Sequence, residues 1–286
     1  MYIQTVNVCG AGVMGMGISQ ALAQFGMPVR VMDTDMAIIE RSLGRTRSNL
    51  QMLIERGKIT SEDADAVLSR INPTTNIQDI TDADLIIEAV FESMEVKKKV
   101  FADLDAVLPE RTIIASNTSI LSPTEMGSAT KRPDRCVGMH WMNPAPVMKL
   151  IEVTAGMDTS GETVDAVIEF ARRIGKVPVR ISESPGGIAS RILSAMRNAA
   201  VDILVEGVAT AEDIDTAMKL GAGFPMGPLE LIDLVGVDIH TINSDTLYRE
   251  LSDPRYRPNA YCRKMLRAGH LGRKSGRGFY HYEQKK

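Results

Sequence analysis

Near its N-terminus the chain has a glycine-rich turn between a short apolar run and a helical pattern, and this turn constrains the fold more than any other feature. The run at residues 3–9 is typical of a buried strand, and Gly10, Gly12 and Gly15 follow it in the spacing G-x-G-x-x-G. Such glycines permit a tight turn and bring backbone N–H groups close to a pyrophosphate. A second β-rich run ends at Asp33, where a carboxylate can bind the adenosine ribose diol and repel a 2′-phosphate. The pattern predicts an NAD site; a glycine turn that only connects two elements is the alternative.

Apolar β-like runs alternate with helical patterns up to residue 181. The runs lie at 29–32, 85–87, 112–115, 136–139, 150–153 and 177–181, with helices predicted at about 36–56, 96–108 and 162–174. This alternation predicts an α/β fold, a Rossmann-like, doubly wound and mostly parallel sheet. After Pro185-Gly186-Gly187 the patterns are helical, over 188–208, 211–220, 228–248 and 260–268. We therefore predict an NAD-binding domain at residues 1–183 and an all-α domain at residues 184–286.

Charge, cysteine content and hydropathy exclude several classes of protein. The 33 basic and 36 acidic residues give a net charge of −3, which offers no global electrostatic basis for binding nucleic acid or an anionic membrane. The three cysteines are odd in number and far apart, which argues against a paired disulfide framework and a clustered zinc site. Neither a signal-peptide pattern nor a run of about 18 apolar residues occurs. We expect a cytoplasmic protein with no metal, no nucleic-acid partner and no membrane.

A histidine and a glutamate occupy neighbouring β-like runs. His140 follows one run, at the sheet edge where cofactors and substrates meet in doubly wound folds. Glu152 lies in the next run, and a proline-containing loop at 143–147 could return the second strand beside the first. A histidine oriented by a carboxylate suits removal of a hydroxyl proton during dehydrogenation near neutral pH. A histidine that only hydrogen-bonds at a strand end explains the spacing equally well.

Other polar segments have both a functional and a structural explanation. Residues 116–119 follow a β-like run and could present a hydroxyl to a substrate oxygen, but a turn capping a helix near Pro123 explains the segment better by itself. Lys97 begins a run of three lysines, which is typical of a solvated helix face. Arg56 and Lys58 could reach substrate phosphates or could simply complement the dipole of the long helix that ends there.

Five sequence blocks together resemble the 3-hydroxyacyl-CoA dehydrogenase family, most closely its short bacterial members that act on 3-hydroxybutyryl-CoA. The blocks are GAGVMGMGI at 10–18, ASNTS at 115–119, GMHWMNP at 138–144, MGPLE at 226–230 and GRKSGRGFY at 272–280. The resemblance covers nearly the whole chain. It implies an NAD-dependent enzyme that interconverts (S)-3-hydroxyacyl-CoA and 3-ketoacyl-CoA thioesters, with short substrates such as acetoacetyl-CoA. It also implies a homodimer formed through the C-terminal domain.

The resemblance also implies roles for individual residues. His140 is the general base for the 3-hydroxyl, Glu152 orients it, and Ser119 and Asn143 contact the substrate oxygen and the nicotinamide region. For Ser119 this favours a functional role over capping. The implied NAD-binding residues are Gly10, Gly12, Val13, Met14, Gly15, Asp33, Glu92, Lys97, Ser119, Asn143 and Lys274, and the implied substrate-binding residues are Ser119, Arg56, Lys58 and Ser190.

The segment after the domain joint departs from the family pattern at two positions. Gly187 stands where the family usually has phenylalanine, and Ser190 stands where it has an active-site asparagine. A serine hydroxyl is shorter than an amide, so a bridging water could be needed, and the two changes leave space near the acyl group. Two alternatives therefore stay open: the same chemistry on another thioester, such as that of an acyl-carrier protein, and an NAD-binding relative with little catalysis.

Overall fold

The computed structural model describes residues 1–283 and divides the chain into two compact units. The first unit is Met1–Gly187 and the second begins at Ile188, whereas the sequence predicted the joint between residues 183 and 184. Gly186 and Gly187 have φ angles of 76° and 51°. Because residues with a Cβ rarely adopt such angles, this pair of glycines permits the backbone conformation seen at the joint.

An eight-stranded sheet organises the first unit. Its strands are β1 (Val6–Cys9), β2 (Val29–Met32), β3 (Ile71–Thr74), β4 (Leu85–Glu88), β5 (Ile113–Ser116), β6 (Cys136–Trp141), β7 (Leu150–Ala155) and β8 (Val177–Ser182). The spatial order is β3-β2-β1-β4-β5-β6-β7-β8, and every neighbouring pair is parallel except β6 and β7. The order reverses direction between β1 and β4, the switch point at which open α/β sheets bind ligands. The predicted doubly wound, mostly parallel sheet is confirmed.

Helices accompany this sheet along the chain. They are α1 (Val13–Gln24), α2 (Met36–Glu55), α3 (Ser61–Ser69), α4 (Met94–Val107), α5 (Pro123–Gly127) and α6 (Gly161–Arg173). Every residue of β1, β4, β5 and β6 is buried, as expected for parallel strands covered on both faces. Helix α3 and strand β3 were not predicted from the sequence. Strand β3 lies at the sheet edge and contains Pro73, which an edge strand tolerates because it need not donate on both sides.

The second unit is helical, which confirms the predicted all-α architecture. Its helices are α7 (Ala189–Val205), α8 (Ala211–Gly221), α9 (Pro228–Val235), α10 (Val237–Leu251) and α11 (Ala260–Arg267). The prediction of a single helix over 228–248 is wrong, because the helix is interrupted at Gly236, whose φ is 110°. Val201, Leu229 and Ile232 belong to the apolar core of this unit. No helix within residues 1–283 is long and apolar enough to cross a membrane.

Candidate active site

The glycine turn leaves the N-terminus of α1 open. Gly12 is the N-cap of α1, no side chain caps the helix, and a Cβ built on Gly12 has no atom within 4 Å. Gly10 has a φ of 102°, and a Cβ there would come within 2.6 Å of the Ala89 carbonyl oxygen. A Cβ on Gly15 would come within 1.8 Å of the Gly10 oxygen. Glycine is therefore required at positions 10 and 15 for packing, while Gly12 leaves backbone N–H groups accessible to a phosphate.

Asp33 lies one residue beyond β2 and next to this turn. Its Oδ2 accepts a hydrogen bond from the Ala11 N–H at 2.8 Å, and its Oδ1 accepts one from the Thr34 N–H at 2.8 Å. These bonds orient the carboxylate beside the turn, where a ribose diol is expected in a dinucleotide site. The first turn of α1 contains no acidic residue that would repel a phosphate. The residues present fit NAD.

His140 and Glu152 face each other across β6 and β7. Strand β6 extends to Trp141, so His140 lies inside the strand, and the expectation that it follows the strand is wrong. The antiparallel register pairs His140 directly with Glu152, which puts both side chains on one face of the sheet. The imidazole Nδ1 lies 3.0 Å from Glu152 Oε2, and the two residues are 9% and 2% exposed. With the Nδ1 proton donated to this carboxylate, Nε2 is the acceptor nitrogen.

The Ser119 hydroxyl lies 2.9 Å from His140 Nε2. Ser119 follows Thr118, whose hydroxyl accepts the Leu121 N–H at 2.9 Å and so closes a tight turn. The cap of α5 is Ser122, which accepts the Glu125 N–H, so the interpretation of residues 116–119 as that cap is wrong.

Two further groups tie the end of β5 to its surroundings. Asn117 Oδ1 accepts the backbone N–H of Trp141 at 2.9 Å, which joins the end of β5 to β6. Glu92 Oε1 accepts the Thr118 hydroxyl at 2.6 Å and the Ser119 N–H at 3.1 Å. The position of Ser119 is therefore fixed by the hydrogen bond from its backbone N–H to Glu92 as well as by the contact of its hydroxyl with His140.

Lys97 lies in a buried ion pair, and its interpretation as a solvated charge is wrong. Its side chain is 1% exposed, and Nζ lies 2.7 and 2.9 Å from the two carboxylate oxygens of Glu88. The same nitrogen lies 3.3 Å from Glu92 Oε2. Glu88 has no distinguishing sequence signal, because one acid at the end of the apolar run Leu-Ile-Ile resembles an ordinary strand end. Cys9 is not a nucleophile here, since burial and then the Glu88 carboxylate raise the pKa of its thiol to about 12.

The remaining predicted site residues lie in exposed segments of the first unit or belong to the second unit. Asn143 is exposed in the loop after β6, and Arg56 and Lys58 are exposed at and after the end of α2. Ser190 and Lys274 belong to the second unit, where Ser190 lies in the first turn of α7 and Lys274 pairs with Asp238 at 2.6 Å. In the part of the chain that the structure describes, no group of three or more His, Cys, Asp and Glu side chains could hold a metal ion.

Comparison with known proteins gives a consistent family signal over nearly the whole chain. The model of the 3-hydroxyacyl-CoA dehydrogenase NAD binding domain matches residues 5–184, and the model of the C-terminal domain of the same family matches residues 186–282. The chain is 47% identical over 277 residues to a 3-hydroxybutyryl-CoA dehydrogenase of Clostridioides difficile, covering 97% of this chain and 99% of that protein.

Two solved structures resemble the whole chain. FadB2 of Mycobacterium tuberculosis has a TM-score of 0.96 at 38% identity, covering 99% of this chain and 100% of that one. The (S)-3-hydroxybutyryl-CoA dehydrogenase PaaH1 of Ralstonia eutropha has a TM-score of 0.92 at 42% identity, with the same coverage. The sheet, the helical unit and the sequence blocks thus all indicate the same family.

Proposed function

The chain belongs to the 3-hydroxyacyl-CoA dehydrogenase family, and from that premise we propose that it interconverts (S)-3-hydroxyacyl-CoA and 3-ketoacyl-CoA thioesters. Its cofactor is NAD. Short substrates such as 3-hydroxybutyryl-CoA and acetoacetyl-CoA are the ones we propose, because the relatives with that name align over nearly their full length. The observation that carries the proposal is the continuous contact from the Ser119 hydroxyl through His140 to Glu152.

His140 is the proposed general base in the direction of oxidation. The 3-hydroxyl replaces the Ser119 hydroxyl at Nε2, which removes the proton of the 3-hydroxyl, and the released Ser119 hydroxyl donates a hydrogen bond to the same substrate oxygen. Held by the glycine turn and Asp33, NAD would supply the hydride acceptor for this direction, and NADH would supply the hydride donor for the reverse direction. Glu152 keeps Nδ1 protonated and stabilises the imidazolium that forms, so the proton returns from His140 when a ketone is reduced.

The open glycine turn is the proposed site of the NAD pyrophosphate. Backbone N–H groups at the start of α1 bind the phosphates, and Asp33 binds the adenosine ribose. The family resemblance supports the remaining roles. Glu92, Ser119, Asn143 and Lys274 complete the NAD site, to which the buried Lys97 contributes through its contact with Glu92, and Arg56, Lys58 and Ser190 contribute to the acyl-CoA site.

A panel of 3-ketoacyl-CoA thioesters of increasing chain length, assayed with NADH and with NADPH, tests this function. We expect NADH oxidation with acetoacetyl-CoA and little activity with NADPH, because Asp33 repels a 2′-phosphate. NADH binding without turnover of any thioester in the panel would contradict the proposal and favour the weakly catalytic relative.

A second candidate keeps the chemistry and changes the carrier. Gly187 and Ser190 favour it, since both differ from the usual family residues near the acyl group. Acetoacetyl thioesters of CoA and of an acyl-carrier protein separate the two candidates. If the enzyme clearly prefers the carrier-protein thioester, the acyl-carrier protein replaces CoA as the proposed carrier.

The second unit is the proposed site of homodimer formation. It exposes several large apolar side chains: Ile192, Val205, Val208, Leu220, Leu234 and Ile242. Exposed apolar side chains in this number favour burial against another subunit, and a twofold dimer is the commonest way to bury them. Sedimentation equilibrium tests this, and a monomer at micromolar concentration would contradict it.

A further inference from the structure

The Glu88 carboxylate is fully buried at the end of β4, and both of its oxygens are saturated. Oε1 accepts hydrogen bonds from the Val90 N–H at 2.6 Å and from Lys97 Nζ at 2.7 Å. Oε2 accepts hydrogen bonds from the Ser116 hydroxyl at 2.6 Å and from Lys97 Nζ at 2.9 Å. Four hydrogen bonds from three donor groups fill the lone-pair positions of the carboxylate, so Glu88 is held in one orientation and is not available to a ligand.

Lys97 connects Glu88 to a second carboxylate. Its ammonium has three protons, two oxygens of Glu88 face it, and Glu92 Oε2 lies 3.3 Å away. Because the side chain is almost fully buried, the ammonium cannot turn to solvent. If Glu88 lost its charge, Glu92 would be the carboxylate left beside the buried cation.

Glu92 in turn holds Ser119. Its Oε1 accepts the Ser119 N–H and the Thr118 hydroxyl, while its Oε2 faces Lys97. The side chain is 39% exposed, so water competes for both oxygens, and the contact with Lys97 limits its movement. The two oxygens belong to one rigid planar group, so a shift of Oε2 relative to Lys97 also moves the Oε1 that accepts the Ser119 N–H.

Glu88 also holds the other end of the same segment directly. The Ser116 hydroxyl donates to Glu88 Oε2, and the Asn117 N–H donates to the backbone oxygen of Glu88 at 2.7 Å. The segment 116–119 thus meets the buried Glu88 carboxylate directly at Ser116 and, through Lys97 and Glu92, at Ser119. The Ser119 hydroxyl, at the far end of the segment, contacts His140 Nε2.

We propose that Glu88 is a positioning residue of the active site. Acting through Lys97 and Glu92 at one end and through Ser116 at the other, it keeps the Ser119 hydroxyl within hydrogen-bond distance of His140. The functional meaning of this contact rests on the proposed dehydrogenase activity. The structural dependence of the Ser119–His140 contact on Glu88 does not, and can be measured without turnover.

Stabilisation of the fold is the competing explanation for a buried ion pair. Neutral side chains of similar size often replace both partners of such a pair without loss of stability, whereas removal of one charge leaves the other unpaired. The double variant Glu88→Gln/Lys97→Met removes both charges and should fold even if Glu88→Gln does not. It therefore separates positioning from stability.

Histidine NMR on the full chain tests the proposal directly. The chain has four histidines, so the ring signals of His140 are identified by their loss in His140→Gln. Ser119→Ala reports the signals of a His140 ring without its serine contact. We expect Glu88→Gln and the double variant to move the His140 signals toward the Ser119→Ala position. Signals that stay at the wild-type position in both variants would overturn the proposal.

Lys99→Met is the matched control. Lys99 lies two residues from Lys97 on the same helix and pairs with Asp103 at 2.6 Å on an exposed face. Loss of this surface pair leaves the segment 116–119 untouched, so the His140 signals should not move. A shift as large as that of Glu88→Gln would mean that any charge change on α4 disturbs His140, which overturns the specific role of Glu88.

A kinetic cycle gives an independent readout with acetoacetyl-CoA and NADH. Glu88→Gln should lower kcat by about tenfold or more, and adding it to Ser119→Ala should lower kcat by less than about twofold further, because both changes break one contact. Additive losses would overturn the proposal. Wild-type protein that binds NADH without turning over any 3-ketoacyl thioester would contradict the proposed function, and the NMR comparison would still decide the role of Glu88.

Discussion

Each unit of the molecule buries a histidine, and the two differ in every contact that matters for chemistry. His140 in the first unit has Glu152 on one ring nitrogen and Ser119 on the other. His240 in the second unit is fully buried, and neither of its ring nitrogens has a hydrogen-bond partner within residues 1–283. Burial and then the nearby Arg197 guanidinium lower the pKa of His240 to about 3. A buried histidine is suited to act as a base where an acceptor such as a carboxylate stabilises its cation at one ring nitrogen and the other nitrogen meets a polar group.

Loss of the carboxylate should make the surroundings of His140 more like those of His240. Glu152→Gln keeps the shape of the side chain and removes its charge, so the imidazolium formed during turnover loses its stabilisation. We expect kcat with 3-hydroxybutyryl-CoA and NAD to fall by about a hundredfold, with NADH affinity nearly unchanged. Fluorescence titration of NADH provides the control, and unchanged kcat would contradict the role of Glu152.

Gly187 offers a smaller perturbation of the same pair. A Cβ at this position would lie 2.8 Å from Glu152 Oε2, the oxygen that contacts His140, and its φ of 51° already disfavours any other residue. Gly187→Ala should displace the carboxylate and lower kcat by about tenfold.

Gly175→Ala is the matched control for Gly187→Ala. Gly175 has a φ of 75° in the same unit, and a Cβ there meets no atom within 4 Å. Gly175→Ala introduces the same kind of backbone strain without a contact to Glu152, so the kcat of this variant should equal that of the wild type. Equal kcat losses in the two variants would show that strain, and not displacement of Glu152, causes the effect.

His240 should affect stability at acid pH and leave catalysis unchanged. Its pKa in the folded state lies below the value of about 6.5 expected in the unfolded chain, so the unfolded state binds the proton more tightly. The stability from neutral His240 is complete above about pH 6.5 and is lost as the pH falls toward 3. In His240→Leu the fall of Tm between pH 6.5 and pH 4 should become smaller by about a few degrees. An identical pH dependence of Tm in the two proteins would contradict this account.

The sequence predicted the sheet well because the signals that define it are local. A strand, a glycine turn and a helix follow one another within the first 24 residues, and each leaves its own pattern. Predictions from local patterns failed where contacts between distant parts of the chain determine the secondary structure. Strand β3 contains a proline that only an edge position tolerates, and the helical pattern over 228–248 contains Gly236, whose positive φ breaks it.

The site was predicted least well where the direction of a side chain matters. Lys97, Lys98 and Lys99 look alike in the sequence, but successive helix residues point about 100° apart, so Lys97 is buried, Lys98 is half-buried and Lys99 is exposed. Glu88 gains its importance from Lys97 and Ser116, which come from other elements of the fold. In contrast, His140 and Glu152 were found because two strands joined by a short loop bring residues into register.

The most direct test of the central claim compares the two histidines under one set of conditions. Initial rates of NADH oxidation with acetoacetyl-CoA are measured for the wild type, His140→Gln and His240→Leu near neutral pH, below the unfolding temperature of each. We expect His140→Gln to lose about a thousandfold in kcat while still binding NADH, because its general base is gone, and His240→Leu to keep the wild-type kcat. Turnover retained in His140→Gln, or lost equally in both variants, would contradict the account.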